Sequence, residues 1–344
     1  MPLPSTSRRT FLQAALASPF VLGAGLARAA GPLKVSLAAP FDGSNAAFFL
    51  AQSRGWYRDA GLDCQFDASN GSGEAVSRVG SGVYDLGIAD INVMLEFNVK
   101  NPDFAVRDVY MLYYRSPLCV GTLAKTGIAK PADLAGRTIG AAATDGAYRL
   151  FPAYAKAAGI DGSAVKWQMV GLQLREAVLA RGDVEAILGF DSTMYFGLKK
   201  AGVAPEDIRF LYYPDAGLDL YGNGIIVSSK LRGQSPEVVQ RFVAVTARAW
   251  QASIADPAAA IDALRQHSPL INAPQELDKL RWLVDHQLVT PESRAGGLGG
   301  VDPARLEKAI ATVVAAYGLP TAPGVGEVFD ATFLPGADLR KVPA

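Results

Sequence analysis

The sequence predicts an α/β protein built as two lobes joined by a two-strand hinge. Three observations carry this. Short apolar strands alternate with helical runs along much of the chain, with few hairpin signals, which is the pattern of a parallel sheet covered by helices. One strand–helix unit occurs twice: EAVSRVGSGVYDLGIAD (74–90) and EAVLARGDVEAILGFD (176–191) both open on Glu-Ala-Val. Each then passes through glycine to an acidic residue, Asp85 or Glu185, and ends an apolar strand on aspartate. Finally, 344 residues exceed the roughly 250–300 at which a single core stops growing.

Taken in order, LKVSLAAP (33–40) is an apolar strand, followed by a helix through Phe48 to Ala60 that Gly61 closes. DCQFDA (63–68) alternates like a half-buried strand, Glu74 to Val79 is a short helix and YDLGIA (84–89) a further strand. Glycine stops recur in RDAGL (58–62), KAAGI (156–160), KKAGV (199–203) and AAYGL (315–319), where a left-handed residue would cap a helix at no steric cost. YMLYYRSPLCVGTLAK (110–125) is placed to carry the chain into the second lobe, and YGNGIIVSS (221–229) to bring it back. Lobe I is therefore assigned to 31–118 plus 224–344, and lobe II to 119–223. Helices are expected over 236–255, 257–267, 274–288 and 303–317, with a mobile loop at Gly296–Gly300 and a loosely held tail from Pro335.

Composition narrows the function. The chain carries 33 basic and 33 acidic residues, half its residues are apolar, and its mean hydropathy is +0.16, so it is not a disordered chain. Without a basic block it is a poor nucleic-acid binder. Two cysteines and two histidines make neither a disulfide scaffold nor a metal cluster, and no metal site or cofactor is expected. Cys64 and Cys119 read as two isolated buried thiols, and His267 and His286 are given no chemistry. No nucleophile elbow, P-loop or dinucleotide fingerprint is present, so no catalytic residue is assigned.

The first 30 residues hold Arg8, Arg9 and Arg28 and no acid. Twin arginines before Thr10-Phe11-Leu12, an uncharged stretch to Ala27 and the small-x-small Ala27-Arg28-Ala29 resemble a Tat-type signal peptide over 1–29. The expected mature protein is a soluble periplasmic monomer.

Several segments together resemble a periplasmic solute-binding protein of an ABC importer, in the group that takes nitrate, sulfonates, taurine and thiamine-pyrimidine precursors. They are FFLAQSRGWYRDAGL (48–62), GSGVYDLGIAD (80–90), PADLAGRTIGAAATDGAYRLFPAYAKAAGI (131–160), ARGDVEAILGFD (180–191), YGNGIIVSS (221–229) and VFDATFLP (328–335). The resemblance implies the type II periplasmic-binding-protein fold, a small molecule captured between the lobes and an inner-membrane permease as partner. A related member of the fold makes the thiamine pyrimidine from its own histidine and needs a cysteine-rich iron motif, which this sequence lacks. An enzyme on the same fold and a sensor domain are the readings from other classes.

Ligands of open α/β sheets bind beyond the carboxyl ends of strands. Those ends supply Phe41, Asp42, Ser44 and Asn45, then Asp90, then Thr144 and Tyr148, then Phe190 and Asp191. Tyr113, Arg115, Tyr221 and Asn223 join them from the crossings. Asp42, Asp90 and Asp191 either accept N–H groups of a ligand or cap the helices that follow. Carboxylates beside aromatic rings suit a nitrogenous aromatic, pyrimidine-precursor-like ligand. An alkyl- or arylsulfonate or aromatic carboxylate, held by Arg115, is the alternative. The expectation is that Asp90 and Asp191 face each other across the crevice.

Overall fold

The computed structural model describes residues 31–343 except Ala39 and Thr144. The expected signal peptide and the candidate Thr144 lie outside the described residues.

Among the described residues, ten strands form two five-stranded sheets. The first has the order β2 (Cys64–Asp67), β1 (Leu33–Ser36), β3 (Leu86–Asp90), β10 (Asn223–Val227), β4 (Arg107–Met111). The second repeats this plan as β7 (Lys166–Met169), β6 (Thr138–Ala141), β8 (Ala186–Phe190), β5 (Leu118–Leu123), β9 (Ile208–Tyr212). Central strands β3, β5 and β10 are buried at every position, because helices cover both faces, and their sequences are accordingly apolar runs. Edge strand β2 alternates buried and open residues.

Neither sheet is all-parallel, contrary to what the strand–helix alternation suggests. β1 pairs in parallel with β2 and β3, and β6 with β7 and β8, but β10 runs antiparallel to β3 and β4, and β5 antiparallel to β8 and β9. The opposed strand in each sheet is the one that enters from the other lobe. It arrives through a short crossing rather than over a covering helix, and parallel pairing requires the longer connection.

The crossings are 112–117 and 213–222, and they bind each other. The Asn223 carbonyl accepts from the N–H groups of Leu112 (3.0 Å) and Tyr113 (2.9 Å), Gly222 N–H donates to the Tyr113 carbonyl (2.9 Å), and Ser116 N–H to that of Leu220 (3.1 Å).

The repeated unit holds the third position of each sheet. Its acid before the strand does one job twice: Asp85 Oδ2 accepts from Lys34 N–H at 2.9 Å, and Glu185 Oε2 from Thr138 N–H at 3.0 Å. Each thereby ties the unit to the neighbouring parallel strand of its sheet, β1 in one and β6 in the other. The four glycine stops are all left-handed, with φ of +70° at Gly61, +67° at Gly159, +87° at Gly202 and +59° at Gly318.

Local differences have local causes. The helix expected through Ala60 is two, Ala46–Ser53 and Trp56–Asp59, because Gly55 turns left-handed between them. The helix expected to 288 is regular over Ala273–Leu283 and widens into a π turn at Val284–Leu288. The tail expected to be loose is docked: Gln251 Nε2 donates to the carbonyls of Asp338 and Lys341, and Leu298 N–H to that of Arg340. The Gly296–Gly300 segment is likewise fastened, since Met111 N–H donates to the Gly299 carbonyl at 2.8 Å.

Helices Pro236–Ala255 and Pro257–His267 cover Ala46–Ser53 around Trp250, Phe48 and Phe242. Helix Pro303–Tyr317 packs on Ile91–Lys100 and on Gly146–Ala157, so it touches both lobes. Among the described residues no helix is long and apolar enough to cross a membrane.

Gly299 has φ +90°, and a Cβ there would stand 2.2 Å from a Tyr110 ring carbon. Gly299→Ala is therefore expected to cost about 2–4 kcal/mol, from a strained backbone and an overpacked ring; denaturant unfolding measures it.

Candidate functional site

A cavity of about 520 Å³ opens between the lobes, within the size range of small-molecule sites. The loop after β1 contributes Phe41, Asp42 and Ser44, the helix Ser72–Gly80 contributes Ser72, and the crossings contribute Tyr113 and Asn223. The second lobe contributes Asp145 and Gly146 after β6, Gln173, Arg175 and Glu176, Phe190 at the end of β8 and Ser192 just beyond it. Helix Ala273–Leu283 brings Gln275, Glu276 and Lys279.

Each lobe presents a cation held between two carboxylates. On the first, Lys279 Nζ lies 2.9 Å from Asp42 and 3.9 Å from Glu276. Burial works against the ammonium, but these two carboxylates outweigh it and hold the Lys279 pKa above its ordinary value. Glu276 also accepts from Gly43 N–H at 2.7 Å, while burial raises its pKa. Gly43 is required for this fit, because a Cβ there would stand 2.2 Å from the Glu276 carbonyl oxygen.

On the second lobe, Arg175 is 2 % exposed. It pairs through Nη1 with Asp145 and through Nη2 with Glu176 at 3.1 Å, and Nη1 also donates to the Leu188 carbonyl at 2.8 Å. Gly189 makes the space, since a Cβ there would lie 2.4 Å from Nη1. Burial raises the Asp145 pKa against the pull of Arg175.

Of the sequence candidates, Phe41, Asp42, Ser44, Tyr113, Phe190 and Asn223 line this cavity. Asn45 lies behind the loop, its amide donating to the Pro40 carbonyl at 3.2 Å. Arg115 is on the outside, paired with Asp215 at 3.1 Å and lying over the Tyr212 ring. Tyr148 packs edge-on against Trp167 in a separate hollow of the second lobe. Tyr221 is buried away from the cleft, its hydroxyl donating to Glu292 and accepting from Asp302 N–H. His267 lies nearer the site than its sequence position suggests, packed edge-on against Phe41, while His286 stacks on Trp282.

Asp90 and Asp191 do not face one another across the cavity. Each finds donors within its own surroundings. Asp90 Oδ1 caps the next helix by accepting from Asn92 N–H and Nδ2, both at 2.9 Å. Asp191 accepts from Trp282 Nε1 at 3.1 Å, Gln287 Nε2 at 3.1 Å and the Tyr212 hydroxyl at 3.3 Å. With Trp282 stacked on Tyr195 (4.8 Å between ring centroids), it ties the second lobe to the C-terminal helices.

The sequence reading passed over Arg175, Glu176, Glu276 and Lys279. A signal for Arg175 was available: the two Glu-Ala-Val repeats match, yet Gly73 precedes one and Arg175 the other. Nothing local marks Glu276 and Lys279, which arrive on a distant helix.

Residues 43–260 match the family described as NMT1/THI5 like, and the chain belongs to that family. Among curated proteins it is similar to a riboflavin-binding protein from Chloroflexus aurantiacus, 28 % identical over 65 % of this chain. The match spans 63 % of that relative's length, just under two thirds. A 4-amino-5-hydroxymethyl-2-methylpyrimidine phosphate synthase from Aspergillus parasiticus is 24 % identical over 67 % of this chain and 69 % of its own length. A formylaminopyrimidine-binding protein from Halalkalibacterium halodurans is 25 % identical over 76 % of this chain and 78 % of its own. The fold is that of the periplasmic binding proteins. The aliphatic sulphonate binding protein SsuA from Escherichia coli superposes with a TM-score of 0.68 at 16 % identity, covering 89 % of this chain and 94 % of its own.

Burial pushes the Asp90 pKa up to about 6, against the hydrogen bonds from Asn92, and its Oδ2 has no partner among the described residues. A carboxyl raised in the folded state gives stability that is complete below its unfolded pKa near 4 and is lost as pH rises through about 6. Asp90→Asn should therefore gain on the wild type by up to about 3 kcal/mol between pH 4 and 7.5. Parallel unfolding curves at the two pH values check this.

Proposed function

We propose that the protein is the solute-binding component of an ABC uptake system, capturing a small nitrogenous aromatic molecule between its lobes. The observation that carries the reading is the cavity itself: it is walled by both lobes and lies beyond strand ends, with aromatic rings and paired charges in its lining. A ligand touching both walls binds the closed arrangement more tightly than the open one, and so shifts the population toward closure. That closed form is what an inner-membrane permease would receive. The reading includes export of residues 1–29 as a Tat-type signal, and a periplasmic monomer as the working form.

The relatives named for binding riboflavin and formylaminopyrimidine support a planar heteroaromatic ligand. One relative is named a synthase, so the question of chemistry is a real one. Binding without turnover is supported by the sequence. Its two cysteines, Cys64 and Cys119, sit in strands of different sheets and cannot make a cysteine-rich iron motif.

The test pairs thermal unfolding with product analysis over a panel of pyrimidines, flavins and sulfonates. A true ligand at a hundredfold its Kd should stabilise the protein by about 2.7 kcal/mol and be recovered unchanged. Conversion of a panel compound by the purified protein, or a melting temperature that no compound moves, would refute the reading.

A further inference from the structure

Going beyond the solute-binding reading, we propose that Asp191 is the bolt of a latch between the lobes. By accepting from Trp282 and Gln287 it holds helix Asp191–Lys200 of the second lobe against helix Ala273–Leu283 and the π turn of the first, and so sets how readily the cleft opens. None of these three residues lines the cavity. Affinity for any solute is then governed partly by residues that the solute does not touch. A ligand that favours the closed arrangement binds more weakly when the closed population falls.

The packing sets the latch apart from the core of each lobe. Leu280, Leu283, Val284 and Leu288 bury one side of the C-terminal segment in the core of the first lobe. Met194 and Leu198 bury helix Asp191–Lys200 in a cluster of the second. Between the two segments Trp282 stacks on Tyr195, with 4.8 Å between ring centroids. Beside this stack Asp191, only 1 % exposed, collects donors from both lobes. Ser192 N–H at 2.6 Å and the Tyr212 hydroxyl at 3.3 Å come from its own lobe. Trp282 Nε1 and Gln287 Nε2, each at 3.1 Å, come from the other. Gln287 is itself fixed to the crossing, its carbonyl accepting from Tyr114 N–H at 2.8 Å. Both hydrogen bonds across the seam thus end on one carboxylate, and bonds to a charged acceptor are the strong kind. The seam consists of a ring stack and hydrogen bonds, so it can part and re-form without dismantling either core.

The experiment measures the distance between the lobes, with no solute added, from a pair of spin labels introduced by Leu270→Cys and Met169→Cys. These positions are 99 % and 51 % exposed, one on each lobe, and the native Cys64 and Cys119 are buried, which keeps label off them. Three variants are compared in this labelled background after their melting curves are recorded. Trp282→Phe keeps a ring for the stack and removes the indole N–H. Asp191→Ala removes the bolt. Tyr212→Phe removes a donor to the same carboxylate from within the second lobe only. The ratio of short to long distances should fall about tenfold or more in Trp282→Phe, fall further in Asp191→Ala, and stay unchanged in Tyr212→Phe. An unaltered distribution in Trp282→Phe would overturn the latch, even where Asp191→Ala does not fold. Equal opening in Tyr212→Phe would overturn it too, because a carboxylate that merely supports its own lobe predicts that result. Either result leaves solute capture standing, since that reading is decided by the compound panel and not by the resting distance.

Discussion

The cleft exists because two short chain segments pair with one another between the sheets. Residues 112–117 and 213–222 exchange backbone hydrogen bonds around the Asn223 carbonyl, which takes two donors at once. Part of their backbone N–H and C=O groups is thus satisfied by the opposite crossing. Each sheet can then bury its own faces under its own helices, and the space between the sheets is left open beyond the strand ends. A longer or unpaired connection would leave the lobes without a fixed relation. A single continuous sheet would leave no gap to fill. The Asn223 side chain lies at the same point, so one residue serves both the crossing and the cavity wall.

The second constraint is electrostatic. A buried guanidinium is tolerated only where its charge is balanced and its donors are engaged. Arg175 meets that condition through Asp145, Glu176 and the Leu188 carbonyl, with Gly189 stripped of a side chain to admit it. Lys279 meets it through Asp42 and Glu276. These clusters brace the two walls, each setting one cation between two carboxylates.

Much of the architecture was legible in the sequence, and the reasons are physical. Glycine stops are readable because few other residues tolerate the left-handed region, and all four adopt it. The repeated unit is readable because its acid ties the same strand in each lobe. The cleft was legible where strand ends lie next to it in sequence, as at Phe41, Asp42, Ser44 and Phe190. It was not legible where contacts cross long separations: Lys279 reaches Asp42 over 237 positions. The aspartates show the same limit. Strand-end position alone cannot tell a helix cap such as Asp90 from a tie such as Asp191, because the deciding donors, Asn92 in one case and Trp282 with Gln287 in the other, differ in distance along the chain.

The place of β10 has a bearing on how the chain is built. It lies between β3 and β4, so those two strands, separated by only 16 residues, never touch in the first sheet. Until residue 227 has been synthesised, that sheet is split, with two raw edges of unpaired backbone facing each other. The whole second lobe must emerge during that interval. Contacts of such high sequence separation slow folding, and exposed strand edges invite wrong partners. The second lobe, whose five strands all fall between 118 and 212, has no such debt and is the part of the molecule free to order first.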